Sequence, residues 1–295
     1  MIGDFPLKDK IVLVTGGGSG IGLSFVQHAL SLNAKVLIGD LKLTPAAEEL
    51  ISSSSSSNNN NIAVVSFVKC DVAKWDELQN LIDSSMKIFG DLPDVYVPCA
   101  GIFEPPASSF WHDTAIATTE PHTDHYLTLD VNITHPIKLT RLAIRSLQSR
   151  NKRGVVLLVS SIAGLDGYYI KPLYCASKHA IVGFVKSMGF AETQLGVKVV
   201  AVCPGITDTP IWSDDPGLKH RLAKNVLTPA HIAARMVELI ERGEYAGGTV
   251  YVDREEKSEV VFKGLDEPEV IKVMGEMESI KAIGKLVGGE RKAVL

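Results

Sequence analysis

Short runs of apolar, β-branched residues alternate along this chain with longer stretches whose apolar positions recur at helical spacing. The short runs fall at residues 11–15, 35–39, 63–69, 94–97, 154–160, 198–202 and 249–252. Helical patterns fill the gaps at 20–32, 44–52, 75–89, 127–149, 174–195 and 229–242. That alternation is the mark of βαβ units and predicts an α/β fold: a single doubly wound domain over residues 1–253, with a seven-stranded parallel sheet flanked by helices. Past it, Val270, Val273, Met274, Met277, Ile280, Ile283 and Leu286 recur at helical spacing. They predict a helical extension over 254–295, packed on the domain or on a partner subunit. The serine and asparagine run at 52–61 has nothing to bury and is expected as a mobile surface loop.

Composition narrows the function class. With 295 residues, 45% hydrophobic, 22% charged and a net charge of −4, the chain is an ordinary globular protein with no basic excess to offer a nucleic acid. Cys70, Cys99, Cys175 and Cys203 stand far apart in apolar surroundings, which suits reduced, buried thiols. No spacing matches a metal site, and His112, His122, His125 and His135 read as surface residues. The first residues lack the features of a signal peptide, and no apolar run approaches the roughly 18 residues that span a bilayer. A cytoplasmic protein without a membrane span is expected.

Candidate chemistry begins where the first strand ends. Thr15 to Gly22 reads TGGGSGIG and joins that strand to the first helix. The backbone of Gly16, Ser19, Gly20, Ile21 and Gly22, with the helix N-terminus, can there hold a pyrophosphate. The second strand runs into Asp40 and Leu41, about twenty residues beyond the glycines, where a carboxylate accepts from both hydroxyls of an adenosine ribose. The same carboxylate repels a 2′-phosphate: two like charges about 4 Å apart at a surface-like dielectric cost on the order of 4 kcal/mol. A Rossmann-like domain that binds NAD is expected.

The motifs TGGGSGIG, Cys70-Asp71-Val72, Cys99-Ala100-Gly101, Asn132, Ser161, Tyr174-x-x-x-Lys178 and Pro204-Gly205 follow one another in this order. In them the chain resembles the short-chain dehydrogenase/reductase family across about residues 8–253. The stretch VSSIAGLDGYYIKPLYCASKHAIVGF is similar to the 15-hydroxyprostaglandin dehydrogenase-like branch, whose members oxidise secondary alcohols on apolar molecules with NAD. The resemblance implies an NAD-dependent oxidoreductase. In it Tyr174 exchanges the substrate's hydroxyl proton, Ser161 donates to the substrate oxygen, and Asn132 helps hold a water that links Lys178 to solvent. It implies too that Asp71 and Val72 bracket the adenine and that Cys99, Ala100 and Gly101 run along the cofactor ribose. Pro204, Gly205, Thr207 and Thr209 would lie at the nicotinamide carboxamide, with Tyr174 and Lys178 also against the cofactor. A free tyrosine titrates near 10, and a lysine one helical turn on, about 4 Å away, supplies up to about 4 kcal/mol, so the phenol is expected to be drawn down.

One departure stands out: where the family has two asparagines, this chain has Pro98-Cys99, which removes one backbone donor and leaves a weak one. Walls for a substrate cleft are expected from residues 103–111, from 165–173 with Tyr168 and Tyr169, and from 206–227 with Trp212. They suit a medium-sized apolar or aromatic secondary alcohol or ketone. Two other functions stay open: a catalytically idle NAD-binding sensor or scaffold, and a non-redox isomerase or cyclase. The resemblance implies a homodimer or homotetramer built on the helices after the fourth and fifth strands.

Overall fold

The computed structural model describes residues 1–56, 64–111, 125–213, 217 and 226–264. Strands β1 (Ile11–Thr15), β2 (Lys35–Asp40), β3 (Val65–Lys69), β4 (Val95–Pro98), β5 (Gly154–Val159), β6 (Val197–Pro204), β7 (Thr249–Asp253) and β8 (Ser258–Lys263) form one sheet in the order β3-β2-β1-β4-β5-β6-β7-β8. Helices α1 (Gly20–Ser31), α2 (Pro45–Ser56), α3 (Trp75–Phe89), α4 (His135–Ser149), α5 (Pro172–Ser187), α6 (Ala191–Leu195) and α7 (Pro229–Glu241) connect the strands. Successive side chains of a strand face opposite sides. Thus Leu13 and Leu37 enter one apolar core, while Val12, Val14 and Ile38 enter the other. Every residue of β1 and of β6 is buried, as a sheet covered on both faces requires. Helix α3 buries Leu78, Leu81, Ile82 and Ser85, one face at helical spacing, and stops at Gly90, which takes the left-handed conformation at φ 81°.

The sheet differs from the expected seven parallel strands in having an eighth, β8, antiparallel to β7. Its sequence SEVVFK mixes exposed and half-buried positions, so it carries no buried apolar run of the kind that marks the inner strands. Residues 258–263, which fall in the expected helical extension, therefore complete the sheet. The expected helix through Val270 and Leu286 lies outside the described residues, as do His112, His122 and residues 57–61 of the polar run. The first serines of that run instead prolong α2, with Ser52 and Ser53 donating to Glu49 O and Leu50 O at 3.0 and 3.1 Å. The long helix expected at 127–149 carries a π-turn over Asp130–Thr134, and the one expected at 174–195 breaks at 188–190. Among the described residues no helix is long and apolar enough to cross a membrane.

His135 is buried and not a surface residue, being only 1% exposed. Its Nε2 meets Thr15 Oγ1 at 3.0 Å and its Nδ1 meets Val131 O at 3.0 Å, which ties the end of β1 to α4. Burial pushes its pKa down to about 4 from 6.5. The unfolded chain therefore binds the extra proton between those values, and stability present above pH 6.5 is lost as pH falls towards 4. The full loss is about 3 kcal/mol. Thermal melts of the protein and of His135→Gln between these pH values are expected to show a steep acid decline only in the parent.

Candidate active site

The C-terminal ends of β1 to β6 open on one cleft of about 550 Å³. In a doubly wound sheet this edge is the binding edge, because successive crossovers diverge there. The cleft is lined by Gly16 and residues 19–22 after β1, Asp40 and Leu41 after β2, Asp71 and Val72 after β3, and Cys99, Ala100 and Gly101 after β4. Ser161 from the β5 end, Tyr174 and Lys178 from α5, and Pro204, Gly205, Thr207 and Thr209 after β6 complete it. All these residues had been singled out in the sequence, and the fold brings them to one cleft.

The glycine loop fits a dinucleotide. Gly16 has φ 70°, and a Cβ there would stand 2.6 Å from Ala100 N, while one on Gly22 would stand 2.1 Å from Gly16 O. No side chain caps the start of α1 and no acid lies in its first turn, so the helix end suits an anion. Asp40 accepts from Gly18 N at 2.9 Å and from Leu41 N at 2.7 Å, which fixes the carboxylate beside the loop. A carboxylate has about four acceptor positions, so capacity remains for a ribose. Next to Pro98, Cys99 N keeps a bond to β1, donating to Thr15 O at 3.1 Å. Desolvation pushes the Cys99 thiol up to about 12, so it is held as the thiol at neutral pH.

On the other side of the cleft the β5 end and α5 bring three side chains together. Ser161 lies close enough to the Tyr174 hydroxyl to draw its pKa down, and its Oγ accepts from Ala163 N at 3.1 Å. Ser160 is turned inward and donates to Lys178 O at 2.9 Å. Lys178 donates to Val159 O at 3.0 Å, with its Nζ 5.5 Å from the Tyr174 ring centroid. Asn132 does not line the cleft: its side chain donates to Ile102 O at 2.9 Å and accepts from Ile102 N at 3.0 Å, pinning the segment after β4. Phe103 stands edge-on to Tyr174 at 4.7 Å and tilted to Trp212 at 4.9 Å, forming the apolar wall.

The family model of the short chain dehydrogenases matches residues 10–216. The chain belongs to the short-chain dehydrogenase family. Among its relatives, 3beta-hydroxysteroid dehydrogenase 2 of Eggerthella lenta is 31% identical over 206 residues, 70% of this chain and 74% of that one. The 15-hydroxyprostaglandin dehydrogenase [NAD(+)] of Bos taurus is 32% identical over 209 residues, covering 70% and 71%. The crystal structure of 3-ketoacyl-(acyl-carrier-protein) reductase from Brucella melitensis, complexed with NADH, shares the fold with a TM-score of 0.66. It is 20% identical, over 83% of this chain and 97% of that one. Short-chain dehydrogenases are oxidoreductases that take a nicotinamide cofactor.

In this short-chain dehydrogenase the electrostatics of the pair differ from what helical spacing suggests. Burial pushes the Tyr174 hydroxyl up to about 12, and neighbouring Ser161 draws it the other way. Desolvation pushes Lys178 down to about 8. The lysine reaches for Val159 O and not for the phenol oxygen, so burial wins. The protein's own groups thus hold the phenol as a proton donor at neutral pH. Sequence reasoning missed Glu104, fully buried and bonded to the backbone of Tyr174, because it lies in a long connection without periodicity.

Proposed function

We propose that the protein transfers hydride between NAD(H) and a secondary alcohol or ketone on a medium-sized apolar or aromatic molecule. What carries the reading is the convergence of Ser161, Tyr174 and Lys178 on the same cleft as the glycine loop and Asp40. A bound nicotinamide supplies the hydride acceptor or donor. Tyr174 gives a proton to the carbonyl oxygen in reduction and takes it back in oxidation. Ser161 orients that oxygen by donating to it, a contribution of a few kcal/mol in comparable sites. Lys178 holds positive charge beside the phenol as it ionises, and Phe103 and Trp212 press an apolar substrate against it. Relatives named as dehydrogenases of hydroxysteroids and hydroxyprostaglandins support the substrate class and, in the second case, NAD. The proposed enzyme is a homodimer or homotetramer and works in the cytoplasm.

A panel of apolar secondary alcohols and ketones, assayed with NAD(H) and NADP(H) in parallel, tests this through the absorbance of reduced nicotinamide. Turnover with NAD at least about a hundredfold above that with NADP is expected, following the like-charge cost at Asp40. Asp40→Asn keeps the shape, removes the charge and is expected to narrow that preference by at least about tenfold. Equal use of both cofactors by the parent would contradict the assignment of Asp40. Substrate consumed with no change in cofactor absorbance would favour an isomerase or cyclase.

A further inference from the structure

Glu104 is a fully buried carboxylate outside the Ser161, Tyr174 and Lys178 group. Its backbone has φ 46°, in the left-handed region that residues other than glycine rarely occupy. Such a conformation persists only where the surroundings over-determine it. Here three donors do so, and both carboxylate oxygens are used. Oε2 accepts from Tyr174 N at 3.0 Å, and Oε1 accepts from Phe110 N at 3.0 Å and Ser109 Oγ at 3.3 Å. The backbone oxygen of Glu104 accepts from Lys171 Nζ at 2.9 Å.

The Tyr174 N–H lies in the first turn of α5, where backbone donors have no partner within the helix and no side chain of α5 supplies one. Glu104 supplies it from the segment after β4, and an anion there also suits the helix end. The preceding residue, Phe103, is the ring packed on Tyr174, and the residues bonded to Oε1 lead into Trp111, whose indole N–H donates to Tyr169 O at 2.8 Å. The carboxylate therefore ties the helix that carries the phenol to the 103–111 wall, which Trp111 links on to Tyr169.

We infer that Glu104 is a positioning residue: it fixes the height of Tyr174 on α5 through the backbone and holds the 103–111 wall at the spacing that admits substrate. The inference rests on the reading of Tyr174 as the acid and base of hydride transfer. Two losses are therefore separable. Release of the Tyr174 N–H misplaces the phenol and lowers kcat, and misplacement by about 1 Å costs on the order of a hundredfold. Release of Phe110 and Ser109 loosens the wall and raises KM.

The test uses Glu104→Ala, Glu104→Gly and Glu104→Gln in the full chain, with NAD and the fastest alcohol of the panel. Glu104→Gly removes the carboxylate while relieving the strained backbone, so it keeps the fold. Both it and Glu104→Ala are expected to lose about 10- to 100-fold in kcat and to raise KM several-fold. The Kd for NAD, measured by calorimetry, stays within about twofold, since Glu104 is absent from the cofactor wall. Glu104→Gln keeps one carbonyl acceptor but must set its NH2 against an N–H on the other side. It is expected to recover most of kcat and little of KM. Amide exchange at Tyr174 and Phe110 quickens at least about tenfold in the alanine and glycine variants. Glycine retaining the parental kcat and KM would overturn the inference, since only the turn would then matter. So would unchanged exchange at Tyr174. A parent that moves no hydride with any alcohol or ketone defeats the reaction and not the anchor, which the exchange rates then decide alone.

Discussion

Replacing Tyr174 by phenylalanine is expected to lower hydride transfer at least about a thousandfold while NAD still binds within about threefold of the parent affinity. The ring, packed edge-on against Phe103, stays in place, and only the hydroxyl is lost. Because burial holds that hydroxyl near 12, the parent phenol is protonated through the neutral range. Ketone reduction should accordingly hold its rate at neutral pH, whereas alcohol oxidation, which must first free the phenol oxygen, should climb as pH rises. Phenylalanine abolishes both limbs. Steady-state rates in both directions, with calorimetric NAD titration of the same preparation, check this. Full turnover by the variant would remove Tyr174 from the mechanism.

Lys178→Met is expected to cost about two orders of magnitude in kcat. The substitution keeps the buried stem and removes the charge 5.5 Å from the Tyr174 ring, which at an effective dielectric of 20 is worth about 3 kcal/mol to an ionising phenol. Desolvation holds the parent lysine near 8, so it is charged below that pH and loses its proton above it. Its support for the phenol is thus full in neutral solution and fades on the alkaline side. In the methionine variant oxidation should fall most in neutral solution and approach the parent rate on the alkaline side, where the parent lysine is itself uncharged, and the Val159 carbonyl is left without its donor. A pH–rate profile superimposable on the parent's would show that the charge does not act on Tyr174.

The inner strands were legible in the sequence because a strand buried on both faces must be mostly apolar, and β1, β5 and β6 are, with Thr15 and Lys198 the polar exceptions. The edge was not, since β8 needs only a half-buried pattern and carries Ser258, Glu259 and Lys263. The glycine loop was legible because close packing of Gly16 on Ala100 and of Gly22 on Gly16 admits no other residue. What chain spacing could not convey was direction. The family resemblance linked Asn132 to Lys178 but not its side chain to Ile102, and spacing placed Lys178 one turn from Tyr174 but not its ammonium on Val159 O. His135 and Glu104 were hidden for a related reason: a polar residue buried by distant partners looks, in sequence, like any residue of a surface segment.

The reaction itself is tested most directly by isotope transfer. Apolar secondary alcohols deuterated at the carbinol carbon are incubated with NAD and the enzyme, and the recovered cofactor is weighed by mass spectrometry. Direct hydride transfer predicts one deuterium in the reduced nicotinamide of the parent reaction and none with Tyr174→Phe. Product formed from the labelled alcohols with no deuterium in the cofactor would contradict it.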